Sequence, residues 1–210
     1  MEEEKRIFAS GCSVVAGVDE VGRGALGGPV SVGVVALRAT PEVPPPFGLL
    51  DSKLLSPRQR EALVGPIRGW ATAWSVGHAE AAEIDEVGLS AALRLAGVRA
   101  MEALGVAPGV VILDGKHHWF GELGHGIEVI TRPKADLHCA SVAAASILAK
   151  VERDAIMASL SLSYPRYGWA ANKGYGTPAH IGALKRFGPC EQHRRSWNIP
   201  GIDPGGDRQA

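Results

Sequence analysis

No run of apolar residues in this 210-residue chain reaches the roughly 18 needed to cross a bilayer. The opening Met1-Glu2-Glu3-Glu4 lacks the basic flank and apolar stretch of a secretory signal. Both absences lead to the expectation of a cytoplasmic protein. Cysteine is scarce: Cys12, Cys139 and Cys190 are odd in number and scattered, unlike the close pairs of a zinc site or the density of a secreted disulfide scaffold. They read as reduced thiols. Net charge is zero, with 22 Lys+Arg against 22 Asp+Glu, which at first argues against a nucleic-acid partner. The balance is uneven, however. Residues 131–195 carry 10 Lys/Arg and 4 Asp/Glu, a net +6 that leaves −6 for the rest. Such a bias suits either a solvated face or a surface that tracks a phosphate backbone.

With 46% hydrophobic residues the chain can bury a large core. A single domain over residues 1–200 with a helical C-terminal part is expected, followed by a frayed tail at 201–210. Valine-rich residues 14–19 and 29–37 read as a hairpin, and "TPEVPPP" (40–46) as a loop. Ser56, Pro57 and Gln59 form a helix start of the capping-box type, predicting a helix to about Arg68. Strands are predicted at 70–79, in "GVVILDG" and at 127–132, and helices at 89–104, from Leu137 to about Leu160 and at 178–187. "SYPRYGWAANKGYGTP" reads as a loop. A hairpin followed by alternating strands and helices implies an α/β fold with a mixed central sheet flanked by helices.

The stretch "GVDEVGRGALGGPV" (17–30) holds two adjacent carboxylates and a glycine-rich turn. Gly22, Gly24 and Gly27 satisfy G-x-G-x-x-G, but a dinucleotide site needs a helix after the turn, and here a strand follows. A hairpin turn requiring glycine remains open on local grounds, and it leaves Arg23, Asp19 and Glu20 unexplained. Unpaired carboxylates in a buried strand are costly unless a cation compensates them. Asp114 ends another buried strand. Asp136 precedes the alanine-rich helix, where it reads either as an N-cap or as a ligand. Four carboxylates with no accompanying histidine or cysteine set favour Mg²⁺ or Mn²⁺ over zinc. Two such ions suit phosphodiester hydrolysis. Because strand neighbours face opposite ways, Asp19 is expected as the shared ligand, with Glu20 at the edge.

The blocks "GVDEVGRG", "DSKLLS", "ILDGK", "KAD", "AASILAKVERD", "YGWAANKGYGTPAH" and "HRRSW", in this order, resemble the bacterial ribonuclease HII family over nearly the whole chain. The resemblance implies a ribonuclease H-like fold and endonucleolytic cleavage of RNA paired with DNA. It also implies nicking on the 5′ side of a single ribonucleotide embedded in duplex DNA, leaving a 3′-hydroxyl and a 5′-phosphate. It places the metal ligands on Asp19, Glu20, Asp114 and Asp136, with Mn²⁺ or Mg²⁺ as cofactor. Gly22, Arg23 and Gly24 would read the 2′-hydroxyl, the group that tells RNA from DNA. Tyr175 would pack on the sugar of the next deoxynucleotide. Lys53 and Lys150 would lie near substrate phosphates, with an exposed lysine or a Lys150–Asp154 helix pair as the competing reading. His117 and His118 read as solvent-facing loop residues. "GALGGPV" and "KAD" depart from the family's usual proline and glycine without removing a functional side chain. A monomer acting on RNA–DNA hybrids is expected. A non-catalytic nucleic-acid-binding module is the competing reading, and it would leave the four acids without a task.

Overall fold

The computed structural model describes residues 2–39, 44–49, 52–121 and 126–198. Part of the expected proline-rich loop (40–43) and the expected frayed tail (201–210) lie outside the described residues. Five strands form one mixed sheet: β1 (Val14–Val21), β2 (Val30–Arg38), β3 (Ala73–Ala79), β4 (Val110–Asp114) and β5 (Glu128–Arg132). Their order is β3-β2-β1-β4-β5. The pairs β1–β2 and β2–β3 are antiparallel, whereas β4 runs parallel to β1 and β5 parallel to β4. The expected hairpin and mixed sheet are therefore present. Seven helices among the described residues accompany it: α1 (Glu2–Ala9), α2 (Pro57–Trp70), α3 (Ala81–Val87), α4 (Leu89–Ala103), α5 (Ala140–Ser163), α6 (Trp169–Asn172) and α7 (Pro178–Phe187).

The alternation of β1 sends its valines to two sides. Val14, Ala16 and Val18 pack with Val30, Val32 and Val34 against Ala92, Leu93, Ala96 and Ala100 of α4. On the other side Val35 and Leu37 meet Leu63 and Ile67 of α2 and Ala144, Ala145, Ile147 and Leu148 of α5. The sheet is thus covered on both faces. Helix α5 lies almost on the strand backbones: a Cβ on Gly17 would come within 2.3 Å of the Ser141 carbonyl carbon, and one on Gly33 within 2.3 Å of the Ala145 oxygen. Its crowding with alanine and serine permits that approach. Asp19, two residues along from Gly17 and paired with Gly33, consequently faces α5.

Several boundaries differ from expectation. The capping box of Ser56 and Gln59 starts α2 as predicted, but the helix continues to Trp70, and β3 begins only at Ala73. Pro66 inside α2 is exposed, so the carbonyl deprived of its N–H partner faces solvent rather than the core. Helix α5 begins at Ala140 instead of Leu137, because its first turn is finished by a remote side chain: Glu4 Oε1 accepts from the Ser141 N–H at 2.9 Å and from its hydroxyl at 2.8 Å. Asp136 lies in the preceding 3₁₀ turn, Ala135–Leu137, and is not the N-cap of α5; Cys139 is. Helices α1, α3 and α6 were not expected from the pattern. They are short, and α1 buries only Glu4 and Ile7. The supposed loop 163–178 contains a 3₁₀ turn and α6, with Tyr167 and Trp169 buried in an apolar cluster with Leu26, Met157 and Leu184.

Candidate active site

Strands β1 and β4 end side by side. The pairing between them ends at Val18 and Leu113, so Asp19 and Asp114 stand where the two strands part at the carboxyl edge, each still paired on its other side, to Gly33 of β2 and Arg132 of β5. A cleft of about 380 Å³ opens there, lined by Asp19, Glu20, Asp114 and the turn Gly22-Arg23-Gly24, with Lys53, Lys150, Tyr175, Ser52, Ser146 and Arg60 completing the wall. Three of the four expected acids face this cleft directly. Asp136, 6% exposed, is joined to it through Lys53, whose Nζ stands 3.4 Å from Asp136 Oδ2. As the side chains stand, no three acids, histidines or cysteines among the described residues close on one ligand point. Asp114 Oδ1 instead accepts from the Ala135 N–H at 2.7 Å.

The electrostatics of the acids are distinctive. Burial, opposed by a hydrogen bond from Ser146 and reinforced by Glu20 and Asp114, pushes the Asp19 carboxyl up to about 7. Burial also raises Glu20, against the pull of Arg23. Glu20 Oε1 lies 3.5 Å from Arg23 Nη1, while Glu20 Oε2 is buried with no hydrogen-bond partner among the described residues. A buried carboxylate oxygen without a donor is a costly arrangement. The donor set is all oxygen and includes an oxygen that lacks a partner, so these residues fit a hard divalent cation.

The glycine turn is held from beneath. Gly22 has φ of +87°, and a Cβ there would strike Arg153 Nε at 2.1 Å. Gly24 is different: its φ lies outside the left-handed region, and a Cβ would meet nothing within 4 Å. The fold therefore requires glycine at 22 and leaves open space over 24. Arg153 and Arg194 are both fully buried. Arg153 donates to the carbonyls of Pro29 (2.9 Å), Lys173 (3.0 Å) and Gly27 (3.2 Å). Arg194 donates to those of Gly22 (2.7 Å), Arg23 (2.9 Å) and Gly28 (3.2 Å). Neither forms an ion pair within 4.0 Å among the described residues. Burial lowers both guanidinium pKa values, Arg194 to about 9, with Arg153 as a second cause for Arg194.

Tyr175 stands across the cleft, with Lys150 Nζ 5.7 Å and the Arg153 guanidinium 5.4 Å from its ring centroid. Its carbonyl bonds His180 Nδ1 at 2.9 Å. His180 Nε2 in turn lies 3.1 Å from both Trp169 Nε1 and His193 Nε2, and His193 Nδ1 accepts from the Cys190 N–H at 3.0 Å. One assignment satisfies all of these bonds: His180 protonated at Nδ1 and His193 at Nε2, both neutral. Lys150 does form the helix pair with Asp154, at 2.8 Å, while still lining the cleft. Arg60 fixes the turn that carries Lys53, donating to the carbonyls of Ser52 (2.8 Å) and Leu55 (2.6 Å). His117 and His118 are exposed, as expected.

Arg60, Ser146, Arg153, His180, His193 and Arg194 were not singled out by the sequence. Arg153 carried a usable signal: it falls at spacing four between Ala149 and Met157, on the buried stripe of α5. A charge in that position has to be satisfied inside the fold.

The sequence profile of the ribonuclease HII family matches residues 16–199. The ribonuclease HII of Streptomyces avermitilis is 50% identical over 190 residues, covering 90% of this chain and 78% of that one. That of a Thermus thermophilus strain is 47% identical over 182 residues, covering 87% and 85%. Among solved structures, the ribonuclease H2 from Pyrococcus horikoshii superposes with a TM-score of 0.73 at 29% identity, covering 89% of this chain and 94% of that one. The RNase HII in the PCNA complex from Archaeoglobus fulgidus gives 0.72 at 26%, covering 89% and 96%. No helix among the described residues is long and apolar enough to cross a membrane. The match runs through the acids, the glycine turn and the C-terminal helices alike, and on it we place the chain in the ribonuclease HII family, as a ribonuclease H of the metal-dependent class that acts on RNA–DNA hybrids.

Proposed function

We propose that this chain cleaves the RNA strand of RNA–DNA hybrids and nicks duplex DNA on the 5′ side of a single embedded ribonucleotide, leaving 3′-hydroxyl and 5′-phosphate ends. The observation that carries the reading is the sharing of one cleft by buried acids and by an open glycine turn. In this reading Asp19, Glu20, Asp114 and Asp136 hold Mn²⁺ or Mg²⁺, with Asp19 central because it is the most deeply buried acid in the cleft. Two such ions, when bound, would activate a water and stabilise the departing oxygen.

The protein's own groups supply selection and placement. Main-chain donors at Gly22-Arg23-Gly24 meet the 2′-hydroxyl, where the missing Cβ at Gly24 leaves room for the sugar. The Tyr175 ring covers the next sugar and excludes a hydroxyl there, which makes the site a reader of RNA–DNA junctions. Lys53, 72% exposed in its side chain, and Lys150 neutralise neighbouring phosphates. A metal-dependent nicking assay tests all of this together, using a duplex with one ribonucleotide, a long RNA–DNA hybrid and an all-DNA duplex. The expected order places both ribonucleotide substrates far above all-DNA. Binding without cleavage in any divalent ion would instead identify a non-catalytic nucleic-acid module.

A further inference from the structure

The turn at residues 22–25 is closed by a hydrogen bond from the Ala25 N–H to the Gly22 carbonyl at 3.2 Å, which makes Arg23 and Gly24 its two central residues. With glycine in the second central position, the peptide between them is free to rotate over, since glycine tolerates both signs of φ. Something outside the turn has to choose its orientation. Arg194 is the only described side chain that donates to the carbonyls on both sides of Arg23: Nη2 to Gly22 O at 2.7 Å and Nη1 to Arg23 O at 2.9 Å. Nη2 and Nε also hold Gly28 O, at 3.2 and 3.3 Å, and the guanidinium packs 4.8 Å from the Trp197 ring centroid.

In a planar trans peptide the N–H points opposite to the C=O. Carbonyls drawn down onto the buried guanidinium therefore turn the N–H groups of Arg23 and Gly24 away from it, toward the cleft that these residues line. No acceptor among the described residues takes either N–H. We propose that Arg194 is a positioning residue for ribonucleotide recognition, locking the Arg23–Gly24 peptide so that its donors face the 2′-hydroxyl. The inference rests on the reading of this turn given above. It also accounts for arginine in particular: a lysine ammonium gathers its donors on one nitrogen, whereas the planar fork spreads them over Nε, Nη1 and Nη2, each of which here faces a carbonyl.

The test compares equilibrium binding, in Ca²⁺ without turnover, of a duplex carrying one ribonucleotide and its all-DNA counterpart by wild type, Arg194→Lys and Arg194→Met. The expected result is a loss of about tenfold in the ratio of the two affinities, the worth of one or two hydrogen bonds, with all-DNA affinity kept within about twofold. An equal weakening of both duplexes is what loss of structure alone would give, and it would overturn the assignment. So would an unchanged ratio in a wild type that is itself selective. A wild type blind to the ribonucleotide would instead overturn the proposed function, and this assignment with it. Should both variants unfold, amide NMR of the wild type decides: the Gly24 N–H resonance shifts with the ribonucleotide duplex and not with all-DNA, and no difference refutes the proposal.

Discussion

The two halves of the cleft solve opposite electrostatic problems. On the sheet side, Asp19 is a buried acid and Glu20 a half-buried one with few donors, one oxygen of Glu20 having none among the described residues. On the C-terminal side, Arg153 and Arg194 are buried cations that form no ion pair there, yet their guanidinium nitrogens are met by carbonyl oxygens. Peptide carbonyls can meet every nitrogen of a buried guanidinium and offset part of its burial cost, because its donors fan out in a plane. Carboxylates crowded together gain nothing from each other. The cationic half is finished by the chain itself; the anionic half has its donors waiting for a partner.

Variants can break this contrast, beginning where the effect is greatest. Asp19→Asn should lower cleavage by about a thousandfold or more, an effect of roughly 4 kcal/mol on the barrier, measured with Mn²⁺ and with Mg²⁺. In chelator at pH 8 the same variant should melt above wild type. The sign follows from the raised carboxyl: folding penalises the ionised form, so stability falls as pH climbs from the ordinary carboxylate value toward about 7, and the amide removes that penalty. Wild-type cleavage by Asp19→Asn would defeat the metal reading. Arg153→Met should act in the other direction, on stability: three carbonyls lose their donor, and urea denaturation should show a loss of about 3 kcal/mol.

Acid gives an intermediate effect. Burial pushes His193 down to about 4 and also lowers His180. Both are neutral in the fold, whereas the unfolded chain takes up protons sooner, so their contribution is intact above about 6.5 and is lost as pH falls toward 4. The raised carboxyls of Asp19 and Glu20 act in the opposite sense over the same range, so the histidines are read as a difference: from pH 7 to 4 wild type should lose melting temperature relative to His193→Gln, and identical pH profiles would remove the histidine pair as a cause. Lys150→Ala should be mildest. As a single phosphate contact already shared with Asp154, it should reduce the salt dependence of duplex binding by about one counterion and change stability by less than about 0.5 kcal/mol.

Legibility in the sequence followed locality. The hairpin β1–β2, the capping box at Ser56 and helix α4 depend on neighbours in the chain, and pattern sufficed for them. Asp19, Glu20 and Asp114, which line the cleft, stood out because a carboxylate within or ending an apolar strand is locally anomalous. The start of α5 was not, since Glu4 caps it from 137 residues away in sequence. Nor was the charge of the second half what it looked like: counting gave +6 for residues 131–195, yet Arg153 and Arg194 are among the cations counted, and they never reach the surface.

The sequence by itself determined the family, the mixed α/β architecture and the acids and glycine turn that the fold brings to one cleft, because strand alternation and side-chain type are written one residue at a time. Only the tertiary structure decided which peptide groups face the cleft. The direction of an N–H at Arg23 or Gly24 depends on a carbonyl's partner 171 residues distant, Arg194, and glycine leaves the local chain indifferent between orientations. The turn over the cleft presents backbone, and the buried side chain behind it, Arg194, holds its carbonyls.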